Sequence, residues 1–305
     1  MPHLEPWPGL PLEAWEPTYL TLHRWLQMAG KLKLALAPPE NHWWHTTLRV
    51  GGRGLTTGAI PCPGHRQVEV TFDFVDHAVR FDCSDGNRTG FDLKPMTVAD
   101  FWAAFRAELD TLGVTARIRP VPVEVSDTTP FDQDTKHADY DAAAVERMWQ
   151  VLLQADRVFR HFRGRFVGKV SPVQFYWGSF DLACTRFNGE RAPARPDADP
   201  VTAEAYSHAV ISHGFWPGGD WPFGGRVASP IFYGYAVPKP DGLEAAAVKP
   251  AEAGWNTKLG EFTLEYDAVR AAGDPDAALL DFLQSTYAAA ADSAGWDRAS
   301  LERDA

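Results

Sequence analysis

The stretch FVGKVSPVQFYWGSFDLACTRFNGERAP (residues 166–193) is dense in aromatic, glycine and polar side chains and predicts a β-sheet that carries a pocket. Side chains on a strand alternate between its two faces. The Gly-Ser pair at 178–179 interrupts that alternation, as a bulge or tight bend does. Beyond it, Cys184 and Arg186 fall on one face and Asp181 falls on the other.

Arg186 ends an otherwise apolar row of this predicted strand. A guanidinium keeps its proton and is costly to bury without a partner, so Arg186 needs a carboxylate or an anionic ligand. Two interpretations stay open. Arg186 belongs to a structural ion pair or reaches water at the strand end, or it recognises an anion in a pocket.

The composition predicts a folded, acidic protein. The chain has 305 residues, 45% hydrophobic residues, 12 tryptophans and a formal net charge of −11. This length allows a substantial core, and the acidic balance disfavours binding to nucleic acid or anionic membranes. Three cysteines lie far apart, which is typical of reduced thiols rather than a disulfide framework. No secretory signal or run of about 18 apolar residues occurs, so we expect a cytoplasmic protein.

Helices and strands are both predicted, in an order that suggests repetition. Apolar residues at helical spacing, opened by capping residues, indicate helices, and alternating apolar residues indicate strands. The predicted helices are 18–34, one from the cap Thr97 to Gly113, one from the cap Asp141 to Phe162, and one from the cap Asp274 with Pro275 after it. The predicted strands are 41–50, 67–87 with a bulge or hairpin near 75–77, 114–125 at a sheet edge, 231–237 and 260–266.

These elements predict an α+β fold in which helices cover antiparallel sheets. Strands precede a capped helix twice along the chain, so we predict two similar halves related by an internal duplication. The predicted division is an N-terminal half at 1–125, a bridging loop and helix at 126–170, and a C-terminal half at 171–305.

Several motifs resemble one known family. GKVSPVQFYWGSFDLACTRFNGERAP, AYSHAVISHGFWPGG, WHTTLRVGGRGLTTGAIP and DAALLDFLQSTYAAAADSAGWD together make the chain similar to a bacterial family known only as a domain of unknown function, number 5996. The resemblance spans nearly the whole chain and implies a bacterial cytoplasmic protein without an established activity. Gln174 stands where that family commonly has histidine, and Ala209 stands where it often has a carboxylate.

His208 is the candidate proton-transfer residue, with Tyr206 and Asp181 positioning it. Histidine titrates near neutrality, which suits acid–base work in a pocket. The alternative is that Tyr206 and His208 form a buried hydrogen-bonded pair. His45, His77 and His208 can form a metal site only if they converge in space, because no metal-binding spacing joins them.

Aromatic residues near glycines suggest a second theme. Trp177 and Trp216, with Trp221 and Phe223, can line a sugar or heteroaromatic ligand, although most tryptophans serve packing. Paired carboxylates at Asp181 and Glu204 would allow glycoside hydrolysis. The glycine-rich segment 214–225 can alternatively act as a lid.

The leading hypothesis is a protein that handles a small, anionic or polar aromatic molecule in a pocket between the halves. Arg186 and Lys169 orient the anion, Trp177, Trp216 and His45 line the pocket, and His208 transfers protons. A non-catalytic binding or interaction protein is the first alternative, and a histidine-ligated metalloprotein is the second. The sequence indicates neither a cofactor nor an oligomeric state.

Overall fold

Two antiparallel sheets and the helices around them form the molecule, whose computed structural model describes residues 5–220 and 225–303. The helices are α1 (Glu16–Leu36), α2 (Val98–Thr111), α3 (Ala142–Gly164), α4 (Pro200–Ala205), α5 (Tyr266–Ala271), α6 (Pro275–Ser293) and α7 (Arg298–Leu301). The strands are β1 (Arg49–Gly51), β2 (Gly54–Thr56), β3 (Ile60–Cys62), β4 (Arg66–Asp73), β5 (Ala78–Cys83), β6 (Arg88–Asp92), β7 (Gln174–Tyr176), β8 (Asp181–Arg191), β9 (His208–Trp216), β10 (Gly219–Asp220), β11 (Arg226–Val227), β12 (Ile231–Val237), β13 (Gly254–Asn256) and β14 (Glu261–Glu265). Short 3-10 helices lie at Leu12–Ala14, Asn41–Thr46, Phe131–Gln133 and Leu243–Ala245.

The first sheet has the order β1-β2-β4-β5-β6, with β3 also paired to β4. The second sheet has the order β13-β14-β12-β9-β8-β7, and β10 and β11 form a separate pair. Leu48 and Phe175 exchange two backbone hydrogen bonds of 2.9 Å, which join the first sheet to β7 of the second. The predicted α+β class with antiparallel sheets and covering helices is confirmed.

The helix caps are those that the sequence predicts. The side chains of Thr97, Asp141 and Asp274 each accept a hydrogen bond from the backbone N–H three residues further on, at 3.0–3.2 Å. Each such bond satisfies a backbone donor that the first turn of a helix leaves free. Gly113 follows α2 with a φ of 64°, the left-handed conformation that suits glycine after a helix.

The strand predicted over 41–50 is wrong for most of its length. Residues Asn41–Thr46 form a 3-10 helix, and regular strand begins at Arg49. His42 and Trp43 have φ of 58° and 63°, so extended pairing is impossible there. The His42 backbone N–H instead donates to the Glu204 carboxylate at 3.1 Å. This contact comes from a residue far along the chain, which local alternation cannot reveal.

The strand predicted over 114–125 is also absent from the described residues. Pro120 and Pro122 lack the N–H groups that a ladder requires, as the sequence already indicated for an edge position. The Gln27 side chain takes the place of a neighbouring strand, because its amide donates to the Val123 carbonyl and accepts from the Val123 N–H, both at 2.9 Å. The segment is therefore held extended against α1 without belonging to a sheet.

The hydrophobic core runs through both halves without interruption and includes Phe72 of the first sheet and Phe232 of the second. The reversal of alternation predicted near 75–77 is a hairpin turn between β4 and β5, in which Asp73 Oδ1 accepts from two backbone N–H groups at 3.0 Å. The strand orders of the two sheets differ, and the internal duplication and the three-part division remain predictions.

Candidate functional site

The second sheet has two faces of different chemistry. Against one face pack α3 and α6: the Arg186 guanidinium donates to the Phe162 carbonyl of α3, and His213 Nε2 lies 2.9 Å from Thr286 Oγ1 of α6. Cys184 pairs with His213 across β8 and β9, so Arg186 shares their face, which we call the helix face. The polar face is the opposite side of this sheet, and it carries Asp181, Thr185, Ser212, Tyr233, Tyr235 and Glu261.

Arg186 is fully buried on the helix face, so its predicted place in a shared pocket with His208 is wrong. Its guanidinium carbon lies 3.5 Å from the centroid of the Phe162 ring and 4.2 Å from that of Tyr287. Within the described part of the chain, Arg186 Nε and Nη1 have no hydrogen-bond partner, and burial lowers the pKa of Arg186 to about 10. Aromatic faces, rather than a carboxylate or an anion, hold this charge.

Asp181 is at the centre of a hydrogen-bonded group on the polar face. It is 8% exposed and accepts hydrogen bonds from the Ser179 hydroxyl and the Tyr233 hydroxyl. The Tyr233 and Tyr235 rings stack with centroids 6.0 Å apart and planes 17° apart. The Tyr235 hydroxyl is 2.9 Å from that of Tyr206, which follows α4. Two of the predicted site residues, Asp181 and Tyr206, therefore belong to one tyrosine-rich group.

A glycine makes room for this group. A Cβ atom at Gly214 would overlap the Tyr233 hydroxyl and ring, so any larger residue would push the tyrosine away from Asp181. Gly214 pairs with Tyr233 across β9 and β12, directly beneath the ring. The sheet thus uses a residue without a side chain where the tyrosine has to lie flat.

Two further carboxylates, the buried Glu261 and the exposed Glu124, lie beside this group, to which Asp181 itself belongs. Burial raises the pKa of Glu261 to about 8, and the Asp181 charge adds to that shift. Glu124 lies directly against Gly178, where desolvation and then Asp181 raise its pKa to about 7. Burial also raises the pKa of Asp181, against the hydrogen bonds from Ser179 and Tyr233. The site therefore holds acids that gain and lose protons near neutral pH, which suits proton transfer.

Lys169, His42 and His208 form the outer end of the polar face. Lys169 Nζ is 2.7 Å from His42 Nε2, and His42 Nδ1 is 3.0 Å from the Glu204 carbonyl oxygen. The His42 and His208 ring centroids are 5.8 Å apart. His208 precedes Ser212 by four residues on β9, which places it about 13 Å along the strand from Ser212, the residue that pairs with Tyr235. His208 and Lys169 thus share a face with Asp181 and Tyr206 but not their immediate surroundings.

Gln174, which stands where the resembled family commonly has histidine, is completely hydrogen-bonded. Its Oε1 accepts from Thr47 Oγ1 at 2.9 Å and from Arg49 Nη1 at 2.8 Å, and its Nε2 donates to the Tyr176 hydroxyl at 2.7 Å. These bonds tie β7 to the chain just before and within β1. Gln174 therefore connects the two sheets beside the polar face.

The remaining predicted pocket residues have packing contacts. Trp177 Nε1 donates to the Thr46 carbonyl at 2.7 Å, and its ring fills the space beside Gly30. His45 Nδ1 accepts from the Glu40 N–H at 3.1 Å. Trp216 is buried at 6% exposure on β9. Trp221 and Phe223 of the predicted lid lie outside the described residues.

His45, His77 and His208, which could form a metal site only by converging in space, have separate partners. His77 contacts the Tyr140 hydroxyl at 2.9 Å and Glu146 Oε1 at 3.2 Å, whereas His208 Nδ1 lies 3.0 Å from Ser207 Oγ. Across residues 5–220 and 225–303, no three His, Cys, Asp or Glu side chains are arranged to hold a metal ion. Asp181 and Glu204, the predicted carboxylate pair, also have separate partners, because Glu204 binds the His42 backbone.

Sequence reasoning missed Glu124, Tyr233, Tyr235 and Glu261. The alternation in IFYGYAV does place both tyrosines on one side of β12. Gly234 of β12 pairs with Phe262 of β14, and paired residues point to the same face of a sheet. The residues next to them, Tyr235 and Glu261, therefore both point to the polar face. Such register information is not available from any single strand.

An α+β chain with a tyrosine- and carboxylate-lined sheet face is the class of protein that these observations define. The chain belongs to the family of unknown function DUF5996, whose model matches residues 7–303. No curated protein matches the chain, and no solved structure does either. Among the described residues, no helix has both the length and the apolar character needed to cross a membrane.

Proposed function

We propose that this chain binds a small polar molecule on the polar face, at the group formed by Asp181, Tyr206, Tyr233 and Tyr235. The observation that carries the proposal is Glu261, a carboxylate that is 7% exposed and has neither a hydrogen bond nor an ion pair within the described residues. Buried polar groups normally have partners, and a mostly buried carboxylate that has no protein donor and whose oxygens still reach solvent is open to a ligand. A bound molecule would supply the missing partner.

The arrangement around Glu261 supports binding rather than packing. Tyr206, Tyr233 and Tyr235 are half-buried, so part of each residue is accessible from solvent. An antiparallel sheet commonly has one polar, solvated face, and what is specific here is that two buried acids, Asp181 and Glu261, lie among three tyrosines on it. Tyrosines offer a flat apolar surface together with a hydroxyl, a combination suited to orienting a small ligand.

Acid–base catalysis is a second candidate function, favoured by Glu124. With a pKa of about 7, the Glu124 carboxyl is present in both protonation states at neutral pH. The effectiveness of a general acid or base is greatest when its pKa is near the working pH. In this function Glu124 transfers the proton and Asp181 orients the ligand, while His208 and Lys169 contact the part of the ligand that extends toward the outer end.

Native mass spectrometry and ligand screening test the binding proposal. The freshly purified full chain is examined for a co-purifying small molecule, and a library of fragments of both charge signs and none is screened by ligand-observed NMR. Wild type is compared with Asp181→Asn and Tyr233→Phe. Tyr266→Phe is the matched control, because Tyr266 is a buried tyrosine whose hydroxyl donates to the Pro8 carbonyl, away from this face.

A molecule or fragment that binds wild type and the control but is lost from Asp181→Asn or Tyr233→Phe supports the proposal. Equal binding to all four proteins, or no co-purifying molecule together with no fragment that binds, overturns it. Circular dichroism of each variant separates loss of binding from loss of fold.

A further inference from the structure

We infer that the molecule bound on the polar face is a small organic cation, an amine whose charge lies between Glu261 and Asp181 and against the tyrosine rings. This inference rests on the proposed function and names its ligand class. Three independent features support it: the absence of protein cations at the carboxylates, the unpartnered Glu261 side chain, and the orientation of the aromatic rings.

The first feature is the lack of a positive side chain at these acids. Over the ranges that the structure describes, no Lys, Arg or His forms an ion pair or hydrogen bond with the two buried acids, Asp181 and Glu261. Elsewhere the chain neutralises its buried acid: Asp73, with a fully buried side chain, is bonded by Arg53 at 2.7 Å and by Arg80 at 2.9 Å. Isolated buried charge is costly, so without a cation beside it Glu261 keeps its proton, and a ligand cation would stabilise the ionised form.

The second feature is Glu261 itself. Its side chain is more than nine-tenths buried, and β14 directs it to the same side of the sheet as Tyr235. The other acid of the group, Asp181, accepts two hydroxyl donors, whereas Glu261 accepts none within the described chain. A carboxylate without donors offers all its lone pairs to an N–H-bearing ligand.

The third feature is the set of aromatic faces beside these acids. Tyr233 and Tyr235 stack nearly parallel, and the Arg195 guanidinium carbon already lies 4.8 Å from the Tyr206 ring centroid. Rings of this kind attract cations through their quadrupole, and desolvation strengthens that attraction. The chain therefore already places one cation on this tyrosine group at its rim and leaves the acidic interior without one.

The charges around Glu261 set the sign of the pH dependence. The titratable groups that interact with it are Asp181 on β8, Tyr233 on β12 and Tyr206 after α4. All are acids, and Glu261, with a pKa of about 8, holds its proton at neutral pH in the free site. A cation binds the deprotonated form, so its affinity rises with pH up to the pKa of about 8 of Glu261.

Isothermal titration with paired probes tests the inference on the full chain. The cations are tetramethylammonium and 1,4-butanediammonium, and their neutral counterparts are tert-butanol and 1,4-butanediol. We expect at least one cation to bind tenfold or more tightly than its neutral counterpart at pH 8.5. We further expect that affinity to fall about 70-fold at pH 6, because a carboxyl with a pKa of about 8 is mostly ionised at pH 8.5 and about one-hundredth ionised at pH 6, with protons released to the buffer on binding.

Variants connect the cation to the carboxylate. Glu261→Gln removes the charge and should weaken the cation at least tenfold while leaving tert-butanol and 1,4-butanediol unchanged. Glu265→Gln is the matched control, since Glu265 lies on the same strand but is exposed and accepts from Ser229 Oγ at 2.6 Å. That control should bind both cations like wild type.

The outcomes separate this inference from the proposal beneath it. Neutral or anionic fragments that bind in place of the cations, with Tyr233→Phe still abolishing binding, would overturn the cation inference and leave the binding site standing. Cation binding that Glu261→Gln does not weaken would overturn the assignment of the charge. No binding of any probe or fragment would overturn both.

Discussion

The two faces of the second sheet bury charged groups in opposite ways. On the helix face, Arg186 is a permanently charged group at 0% exposure, and aromatic rings of α3 and α6 enclose it. On the polar face, Glu261 at 7% exposure has no comparable enclosure, and the groups that interact with it are Asp181, Tyr206 and Tyr233. Burial alone therefore does not distinguish a structural charge from a functional one. What distinguishes them is whether neighbouring protein groups enclose the charged side chain on all sides.

The largest expected effect is on the helix face. Arg186→Ala removes a side chain that fills the space between Phe162 and Tyr287, and we expect a loss of about 3–5 kcal/mol in the free energy of unfolding. Arg186→Met keeps most of the volume without the charge and should cost less than about 1.5 kcal/mol. Urea denaturation followed by circular dichroism measures both values.

Arg88→Ala provides the comparison for an exposed arginine. Its side chain is 81% exposed and pairs with Asp82 at 2.7 Å, and such surface pairs contribute about 0–1 kcal/mol. If Arg186→Met were as damaging as Arg186→Ala, the charge rather than the packing would be what the helix face requires. The contrast between the two faces would then disappear.

The polar face predicts a gain in stability from removing a charge. Because the pKa of Glu261 rises from 4.5 to about 8 on folding, this group opposes folding increasingly as pH rises from 4.5 to 8. Glu261→Gln imitates the protonated form, so it should stabilise the chain by about 2–3 kcal/mol at pH 7 and by about zero at pH 4.5. Urea denaturation at the two pH values checks this. A destabilised variant at pH 7 would mean that Glu261 is charged and paired.

The two faces also teach how far sequence reasoning reaches. Alternation along 166–193 correctly separated Arg186 from Asp181, and the caps at Thr97 and Asp274 were readable because a cap needs only residues a few positions apart. The sequence could not show that Arg186 and His208 lie on opposite faces of the sheet. This arrangement depends on the pairing of β8 with β9, which the sequence of neither strand contains.

Partners distant in sequence account for the other errors. Arg186 meets Tyr287 from α6, 101 positions later in the chain, and an aromatic partner leaves no charge pattern to detect. Glu261 was overlooked because an acid at the start of a strand is ordinary in isolation. It becomes unusual only in the folded chain, where β12 places Tyr235 on the same face and none of the described Lys, Arg or His side chains pairs with it.

His213 on the helix face predicts the opposite pH trend to that of Glu261. Burial lowers the pKa of His213 to about 3 from 6.5, so the folded chain keeps this ring neutral while the unfolded chain binds a proton below pH 6.5. Its contribution is fully present above pH 6.5 and is lost as pH falls. Relative to His213→Asn, wild type should lose about 2 kcal/mol between pH 7 and pH 5. Urea denaturation of both proteins tests this, and a pH-independent difference would contradict it.

The smallest effect is expected where the polar face meets the segment that follows β8. Tyr235→Phe removes the 2.9 Å contact with the Tyr206 hydroxyl, which joins the end of α4 to the sheet, and should cost about 1 kcal/mol or less because both rings are partly exposed. The main effect should be local. Amide hydrogen exchange over 200–207 should become faster, with little change in α6, because opening of this segment breaks only local contacts. Unchanged exchange over 200–207 would mean that other contacts hold the segment, notably that of Glu204 with His42. The tyrosine pair would then serve the ligand alone rather than linking the ligand site to the position of α4.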